Sequence, residues 1–318
     1  MRQLRRPPRS GQLPGQLTTP LVIAHRGASG YRPEHSLEAY QLAVEMGADF
    51  IEPDLVITKD GVLIARHENE ISGTTDAADR YPDRKRTRVV DGESIEGWFT
   101  EDFTLTEIKS LRARERLAGR SHEFDGRFEV PAFDEVIALA QQLGRERGRD
   151  VGIYPETKHP TYFRSINLPL EEPLLASLVK AGWDWRESPV FVQSFEAANL
   201  RVLRPKTTAR LVQLTSRATM VDDAGLKTIA QYADAIGVEK QLILPVAKDG
   251  TPGRPTDLVS RAHAAGLLVH VWTLRADREF LPAGYGGDAG AEVRRFRDLG
   301  VDGMFTDHPD VVVRALKR

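Results

Sequence analysis

The sequence contains no cysteine among its 318 residues. Disulfides, thiol nucleophiles and zinc–thiolate centres are thereby excluded. The absence fits a cytoplasmic protein and equally an exported one that does without bridges. No run of 18 apolar residues occurs, so no transmembrane helix is expected. There is no excess of positive charge: 44 Lys and Arg against 46 Asp and Glu leave a formal net charge of -2. Nucleic acid or an anionic membrane would find no basic field to grip, so any bound anion must be held locally. The first 20 residues are rich in Arg and Pro but lack an apolar h-region, and they do not read as an intact signal peptide. They are expected to form a flexible tail. As it stands the chain is expected to be cytoplasmic; the alternative is a periplasmic or secreted form whose signal peptide is missing.

What the sequence does have is a regular alternation. Short apolar runs lie at 21–25, 50–55, 151–156, 190–194, 209–214, 235–238, 267–273 and 303–306. Helical patterns lie between most of them, at 37–46, 133–143, 172–181, 196–203, 224–232, 256–265 and 289–299. Several close on glycine, as at Gly47, Gly182, Gly266 and Gly300, where a helix end often takes a left-handed residue. Strand alternating with helix predicts a parallel sheet. Eight repeats in a chain of this length predict an α/β protein with a closed (β/α)8 TIM barrel over 21–318. An open doubly wound sheet is the runner-up, although no Gly-x-Gly-x-x-Gly follows the first run. The spacing breaks once. Residues 71–128 are far longer than a usual connection and predict an insertion after the second strand, beside the barrel mouth.

In such a barrel the reactive groups sit at the carboxyl ends of the strands. In order, those ends carry His25 and Arg26, Glu52 and Asp54, Glu156 and Lys158, Gln193 and Phe195, Trp272 and Arg275, and Asp307. Alternate residues of a strand share a face, so Glu52 and Asp54 point the same way, about 7 Å apart along the chain. Two such carboxylates repel unless a cation or a proton intervenes. With Glu156 they make an oxygen-only set, which suits calcium or magnesium rather than zinc or copper. Pairing with Arg or Lys inside the barrel is the competing role.

His25 ends a buried strand, where a histidine is more often a satisfied polar core residue than a catalyst. His67 lies on an extended segment returning from the Lys59-Asp60-Gly61 turn, which can bring it back over the carboxylates. Two histidines there could divide proton transfer, one as base and one as acid. Arg26 and Lys158 suit a phosphate oxygen or an ion pair with the acids. Gly27, Ala28 and Gly30 leave backbone room for a ligand. The other histidines carry weaker signals: His122 solvated, His263 on a helix, His308 leaving the last strand, His159 on a loop, His270 facing the helix layer, His35 before the helix-capping Ser36.

These residues, taken in order, resemble a family. His25-Arg26-Gly27, Glu52-Pro53-Asp54, Lys59-Asp60-Gly61 followed by His67, Glu156-Thr157-Lys158, Gln193-Ser194-Phe195 and Gly303-Met304-Phe305-Thr306-Asp307 match the glycerophosphodiester phosphodiesterases from about residue 21 to the end. Pro33-Glu34-His35-Ser36, Thr74-Thr75-Asp76, Gly97-Trp98-Phe99-Thr100 and Trp272-Thr273-Leu274-Arg275 resemble the longer bacterial type, whose members are often exported. The resemblance implies a TIM barrel with an insertion, a divalent metal ion (calcium or magnesium) on Glu52, Asp54 and Glu156, and His25 and His67 as the acid–base pair. It implies substrate and phosphate contacts from Arg26, Lys158, Gln193, Phe195, Trp272 and Arg275.

The expected activity is metal-dependent hydrolysis of glycerophosphodiesters to glycerol 3-phosphate and an alcohol, with a small-molecule substrate and no nucleic acid partner. One alternative is a lysophospholipase D-like enzyme, which would need an apolar groove; Trp98, Phe99 and Phe103 would line it or else form local core. The other is a catalytically silent binding protein on the same barrel. Oligomeric state is open.

Overall fold

A computed structural model describes residues 19–317; most of the expected N-terminal tail, 1–18, lies outside the described residues. Thirteen strands form in chain order among them: β1 (Leu21–His25), β2 (Phe50–Glu52), β3 (Asp54–Ile57), β4 (Leu63–Ala65), β5 (Arg86–Val90), β6 (Glu93–Gly97), β7 (Gly152–Ile153), β8 (Glu156–Thr157), β9 (Phe191–Ser194), β10 (Arg210–Thr215), β11 (Ala235–Glu239), β12 (Leu268–Leu274) and β13 (Gly303–Thr306). The eight staves of a barrel are all present. The second and third are each broken in two, at Pro53 and at Tyr154-Pro155, where a missing N–H interrupts the ladder. β1 pairs in parallel with β13 and β2, and β2 with β7. β3 pairs with β8, β8 with β9, and the order then runs through β10, β11 and β12 to β13. A bridge from Ile153 to Val190 joins the third stave to the fourth. The structure is thus an α/β barrel, as the alternation predicts.

Breaking the second stave at Pro53 has a direct effect on the site. Glu52 ends one ladder, beside His25 of β1. Asp54 begins another, beside Glu156 of β8. Three acids from two staves therefore converge at one level of the barrel.

Two cores hold the fold. Inside the barrel, Ile23, Phe50, Tyr154, Phe191, Val212, Ala235 and Phe305 pack together. Outside it, the buried faces of the helices meet the strands; in Leu37–Glu45, for example, Ala39, Tyr40, Ala43 and Val44 turn inward, and Ser36 caps the helix by accepting from the Ala39 N–H. His270 corrects an expectation. It faces the barrel interior rather than the helix layer, with its Nδ1 2.5 Å from the Tyr154 hydroxyl and its ring edge-on to Phe191. Both faces of a barrel strand are buried, so flanking valines cannot tell inside from outside.

Glycines make room for this interior. A Cβ on Gly152 would lie 2.2 Å from the Phe50 ring, and one on Gly303 2.7 Å from His270. Gly152→Ala is expected to cost about 1–3 kcal/mol by overpacking, read from urea unfolding. A variant as stable as the parent would show that the Phe50 ring has somewhere to go. Gly27 has a similar duty. Its φ is +87°, and a Cβ there would meet Ala39 at 2.7–2.9 Å. Its bareness serves the approach of the first helix, not that of a ligand.

Between β4 and the helix Phe133–Arg147 runs the long connection. It carries the antiparallel hairpin β5–β6 and the helices Ala77–Arg80 and Leu105–Ser110. Phe99 and Phe103 are fully buried, and Trp98 packs against the same core with its indole N–H donated to the Tyr81 carbonyl at 2.7 Å. These aromatics form local core.

Candidate active site

Glu52, Asp54 and Glu156 are buried, and a ligand oxygen from each lies within 4.8 Å of the others. Partners are few. Glu52 accepts the Arg26 backbone N–H at 2.8 Å and the Gln193 side-chain amide at 2.9 Å. Glu156 accepts from Lys158 Nζ at 3.0 Å. One oxygen of Asp54 is held by His35 Nε2 at 3.0 Å and Arg26 Nε at 3.3 Å; the other, Oδ1, is buried with no hydrogen-bond partner. Burial, with the charges of Asp54 and Glu156, raises Glu52 well above the usual carboxylate range. Burial, helped by Asp54 and opposed by Lys158, raises Glu156 to about 8. Burial acts to raise Asp54 as well, but Lys158 and the His35 hydrogen bond hold it well below its ordinary value. A buried acid set that cannot ionise together, with an orphaned oxygen turned among its members, is matched to a hard divalent cation.

Cations surround this set. Arg26 has φ of 59°, a left-handed residue that turns the chain at the end of β1 and brings its backbone N–H onto Glu52. Its guanidinium donates to Glu34 at 3.0 Å. Lys158 lies between Glu156 and His67, with Nζ 3.1 Å from His67 Nε2.

The two histidines are each anchored through Nδ1. His25 Nδ1 is 2.6 Å from Asp307 Oδ1. Burial and the neighbouring Arg26 lower His25 to about 4, against the pull of Asp307. His67 Nδ1 is 2.8 Å from Glu68 Oε1; burial, Arg26 and Lys158 lower it too. Each carboxylate fixes its ring through Nδ1, which leaves Nε2 as the nitrogen that can exchange a proton.

These groups share one cavity of about 250 Å3, lined by His25, Arg26, Glu52, His67, Glu156, Lys158, Gln193, Phe195, Trp272 and Arg275 among others. Of the candidate residues from the strand ends, all border it except Asp54, held among the acids, and Asp307, bonded to His25. On the far wall, Phe195 meets Trp272 edge-on at 5.8 Å, and Arg275 stacks over Phe280 at 4.5 Å.

Several neighbours were not legible as site residues. Asp307 is gripped not only by Arg275 Nε at 2.7 Å but by Arg120, from the long connection, at 2.5 Å. Arg120 also donates to Asp277 at 2.8 and 3.0 Å and to the Ser29 carbonyl at 2.9 Å. His35, expected only beside a helix cap, is fully buried and bonds Asp54. Glu34, Glu68, Glu239 and Lys240 also stand around the site. His159 bonds Glu68 at 2.8 Å. His308 is buried against Tyr31 and Gly30, His263 bonds Asp302, and the exposed His122 bonds Asp125.

Known proteins resemble this chain along most of its length. The model of the Glycerophosphoryl diester phosphodiesterase family matches residues 25–311. The glycerophosphodiester phosphodiesterase GDPD6 of Arabidopsis thaliana is 37% identical over 321 residues, covering 92% of this chain and 85% of its own. The glycerophosphodiester phosphodiesterase of Bacillus subtilis is 31% identical, covering 98% of this chain and 92% of its own. Among solved structures, an Oleispira antarctica phosphodiesterase in complex with the product sn-glycerol-3-phosphate superimposes with a TM-score of 0.68 at 20% identity, over 94% of this chain and 98% of that one. A glycerophosphodiester phosphodiesterase of Agrobacterium tumefaciens gives 0.61 at 21% identity, over 93% and 99%. The structures share the barrel, and the sequence matches run nearly end to end: the chain belongs to the glycerophosphoryl diester phosphodiesterase family.

Proposed function

We propose that the protein is a metal-dependent glycerophosphodiester phosphodiesterase, releasing glycerol 3-phosphate and an alcohol such as choline or ethanolamine. The observation that carries this is the meeting of three buried carboxylates, two carboxylate-anchored histidines and the cations Arg26, Lys158 and Arg275 around one small cavity. The sn-glycerol-3-phosphate bound to the Oleispira relative supports the substrate class.

Glu52, Asp54 and Glu156 would hold the divalent ion. When bound, calcium or magnesium supplies positive charge for the phosphoryl oxygens. Arg26 and Lys158 offset the same developing charge, and both are fixed in place before the substrate arrives. One histidine takes the proton of the nucleophile, either water or the neighbouring glycerol hydroxyl, on Nε2. The other must first carry a proton on Nε2, which the entry of the anionic diester favours, and gives that proton to the departing alkoxide. Asp307 behind His25 and Glu68 behind His67 stabilise the imidazolium that each role requires. If the glycerol hydroxyl attacks first, a cyclic phosphate forms and water opens it with the roles exchanged. Gln193 orients Glu52; Phe195, Trp272 and Arg275 bound the space beside the phosphate.

A glycerol 3-phosphate release assay over several glycerophosphodiesters, with and without chelator, tests this reading. Turnover is expected for soluble diesters. Preference for lysophospholipids would favour the lysophospholipase D reading, and no turnover at all the silent binding protein. No membrane-crossing helix occurs among the described residues, and Trp98, Phe99 and Phe103 of the long connection are occupied as core.

The cavity wall carries one further expectation. Glu239 lies level with Trp272 across adjacent strands. Its recorded partner is the Gln241 backbone N–H, while neighbouring Lys240 is taken by Glu292. Glu239→Gln is expected to lower kcat/KM for glycerophosphocholine relative to glycerophosphoglycerol by roughly fivefold, equivalent to about 1 kcal/mol of lost attraction to the ammonium. An unchanged ratio would remove Glu239 as a reader of the head group.

A further inference from the structure

Beyond the acid–base pair, we propose that His159 and Asp91 are positioning residues for His67: the tip of the β5–β6 hairpin reaches the site through an unbroken chain, Asp91–His159–Glu68–His67. This rests on the reading of His67 as a proton-transfer group.

The chain is continuous in hydrogen bonds. Asp91 Oδ2 is 2.7 Å from His159 Nδ1. His159 Nε2 is 2.8 Å from Glu68 Oε2. Glu68 Oε1 is 2.8 Å from His67 Nδ1. His159, Glu68 and His67 each use both ends of the side chain, so none of the three is free to rotate without breaking a link. The backbone is arranged for it. Asp91 and Gly92, with φ of 50° and 89°, form the two-residue turn of the hairpin, the geometry that matches the twist of paired strands. His159 has φ of 48° and stands just before Pro160, at the start of the helix Pro160–Ser165. That left-handed turn sends its ring away from Lys158 and between the two carboxylates.

The charges alternate along the chain. Both ring nitrogens of His159 face carboxylate oxygens, at 2.7 and 2.8 Å, and only a ring with two N–H groups satisfies both; the same bonds raise its pKa against the effect of burial. Glu68 is thereby kept ionised, and its second oxygen accepts from His67. The link matters because the Glu68 side chain is 45% exposed. An exposed carboxylate tied at one oxygen swings freely and orients little. Tied at both, it sets the tautomer and the rotation of the His67 ring, and leaves Nε2 as the acceptor beside Lys158. Misplacing such a group by about 1 Å can cost on the order of a hundredfold in rate.

The competing role is a tether that merely fastens the hairpin. His159→Asn separates the two, because Asn tolerates the left-handed backbone but cannot span both carboxylates. The expected result is a fall in kcat of roughly ten- to a hundredfold, the scale seen when the outer partner of a functional histidine is removed, with KM changed less than about twofold. Combined with His67→Ala, His159→Asn is expected to cost nothing further, since the ring it positions is gone. Substrate-free nitrogen NMR of the His67 ring is expected to show the Nδ1–H tautomer in the parent and a mixture in His159→Asn.

An unchanged kcat with an unchanged tautomer would overturn the proposal. So would an equal further loss on the His67→Ala background, which a general structural role predicts. If His159→Asn does not fold, Asp91→Asn, compatible with the turn and exposed, reads the same tautomer and kcat. If the parent hydrolyses no glycerophosphodiester but the tautomer shifts as expected, the functional reading fails and the positioning role stands.

Discussion

Exhaustive chelation is expected to abolish glycerophosphodiester turnover, and added magnesium or calcium to restore it. The expectation follows from the acids themselves. Glu52 and Glu156 are pushed toward protonation by burial and by each other's neighbours, while Asp54 remains ionised with an unpartnered oxygen. Protons relieve that repulsion incompletely; a divalent ion relieves it at all three acids together. Thermal stability provides a second readout that needs no substrate. An ion bound to the folded state at a hundredfold excess over its dissociation constant stabilises by about 2.7 kcal/mol, so Tm should rise with metal concentration. Glu52→Gln is expected to lose that rise and the activity together, yet to match or exceed the parent in Tm without metal, because a neutral amide replaces an acid that must otherwise hold a proton or repel its neighbours. Full activity in a protein shown by elemental analysis to contain no metal would remove the metal from the proposal.

Replacement of either histidine should be nearly as severe. His25→Ala and His67→Ala are each expected to lower kcat by roughly 10²–10⁴-fold, the usual range for a lost general acid or base, with circular dichroism unchanged. A p-nitrophenyl diester distinguishes them, since its leaving group departs without a proton. Whichever variant lacks the acid should recover part of its rate on that substrate, and the other should not. Near-normal turnover of either variant on an unactivated diester would show that the histidine is held by its carboxylate for structure alone.

The barrel was legible because buried parallel strands are written as continuous apolar runs, and all eight runs became staves. The reading failed where a run hides an interruption. Residues 50–55 looked like one strand, but Pro53 divides it, and the division is what brings Glu52 and Asp54 to different neighbours. His270 was placed on the wrong face because both faces of its strand are apolar. In the site, the strand-end residues could be read in order, since their position follows from the fold. Their partners could not. Arg120, Glu34, Glu68 and His35 come from connections, where no periodicity links a residue to its place in space. His35 was read only as the neighbour of the capping Ser36, and nothing in the sequence pointed to Asp54 as its partner.

The bond between His25 and Asp307 joins residues 282 positions apart, across the seam where β13 closes onto β1. A nascent chain that has emerged only as far as β12 already carries both histidines and all three acids. It lacks the carboxylate that fixes one of those rings, and the strand that completes the wall. Under the proposed function, catalytic competence therefore waits for β13 and Asp307 to emerge. It depends on a contact of nearly maximal sequence separation, the kind whose formation is slow because so long a loop must first be closed. Recovery of activity during refolding should follow the slowest phase seen by any optical probe, which makes turnover itself a reporter of barrel closure.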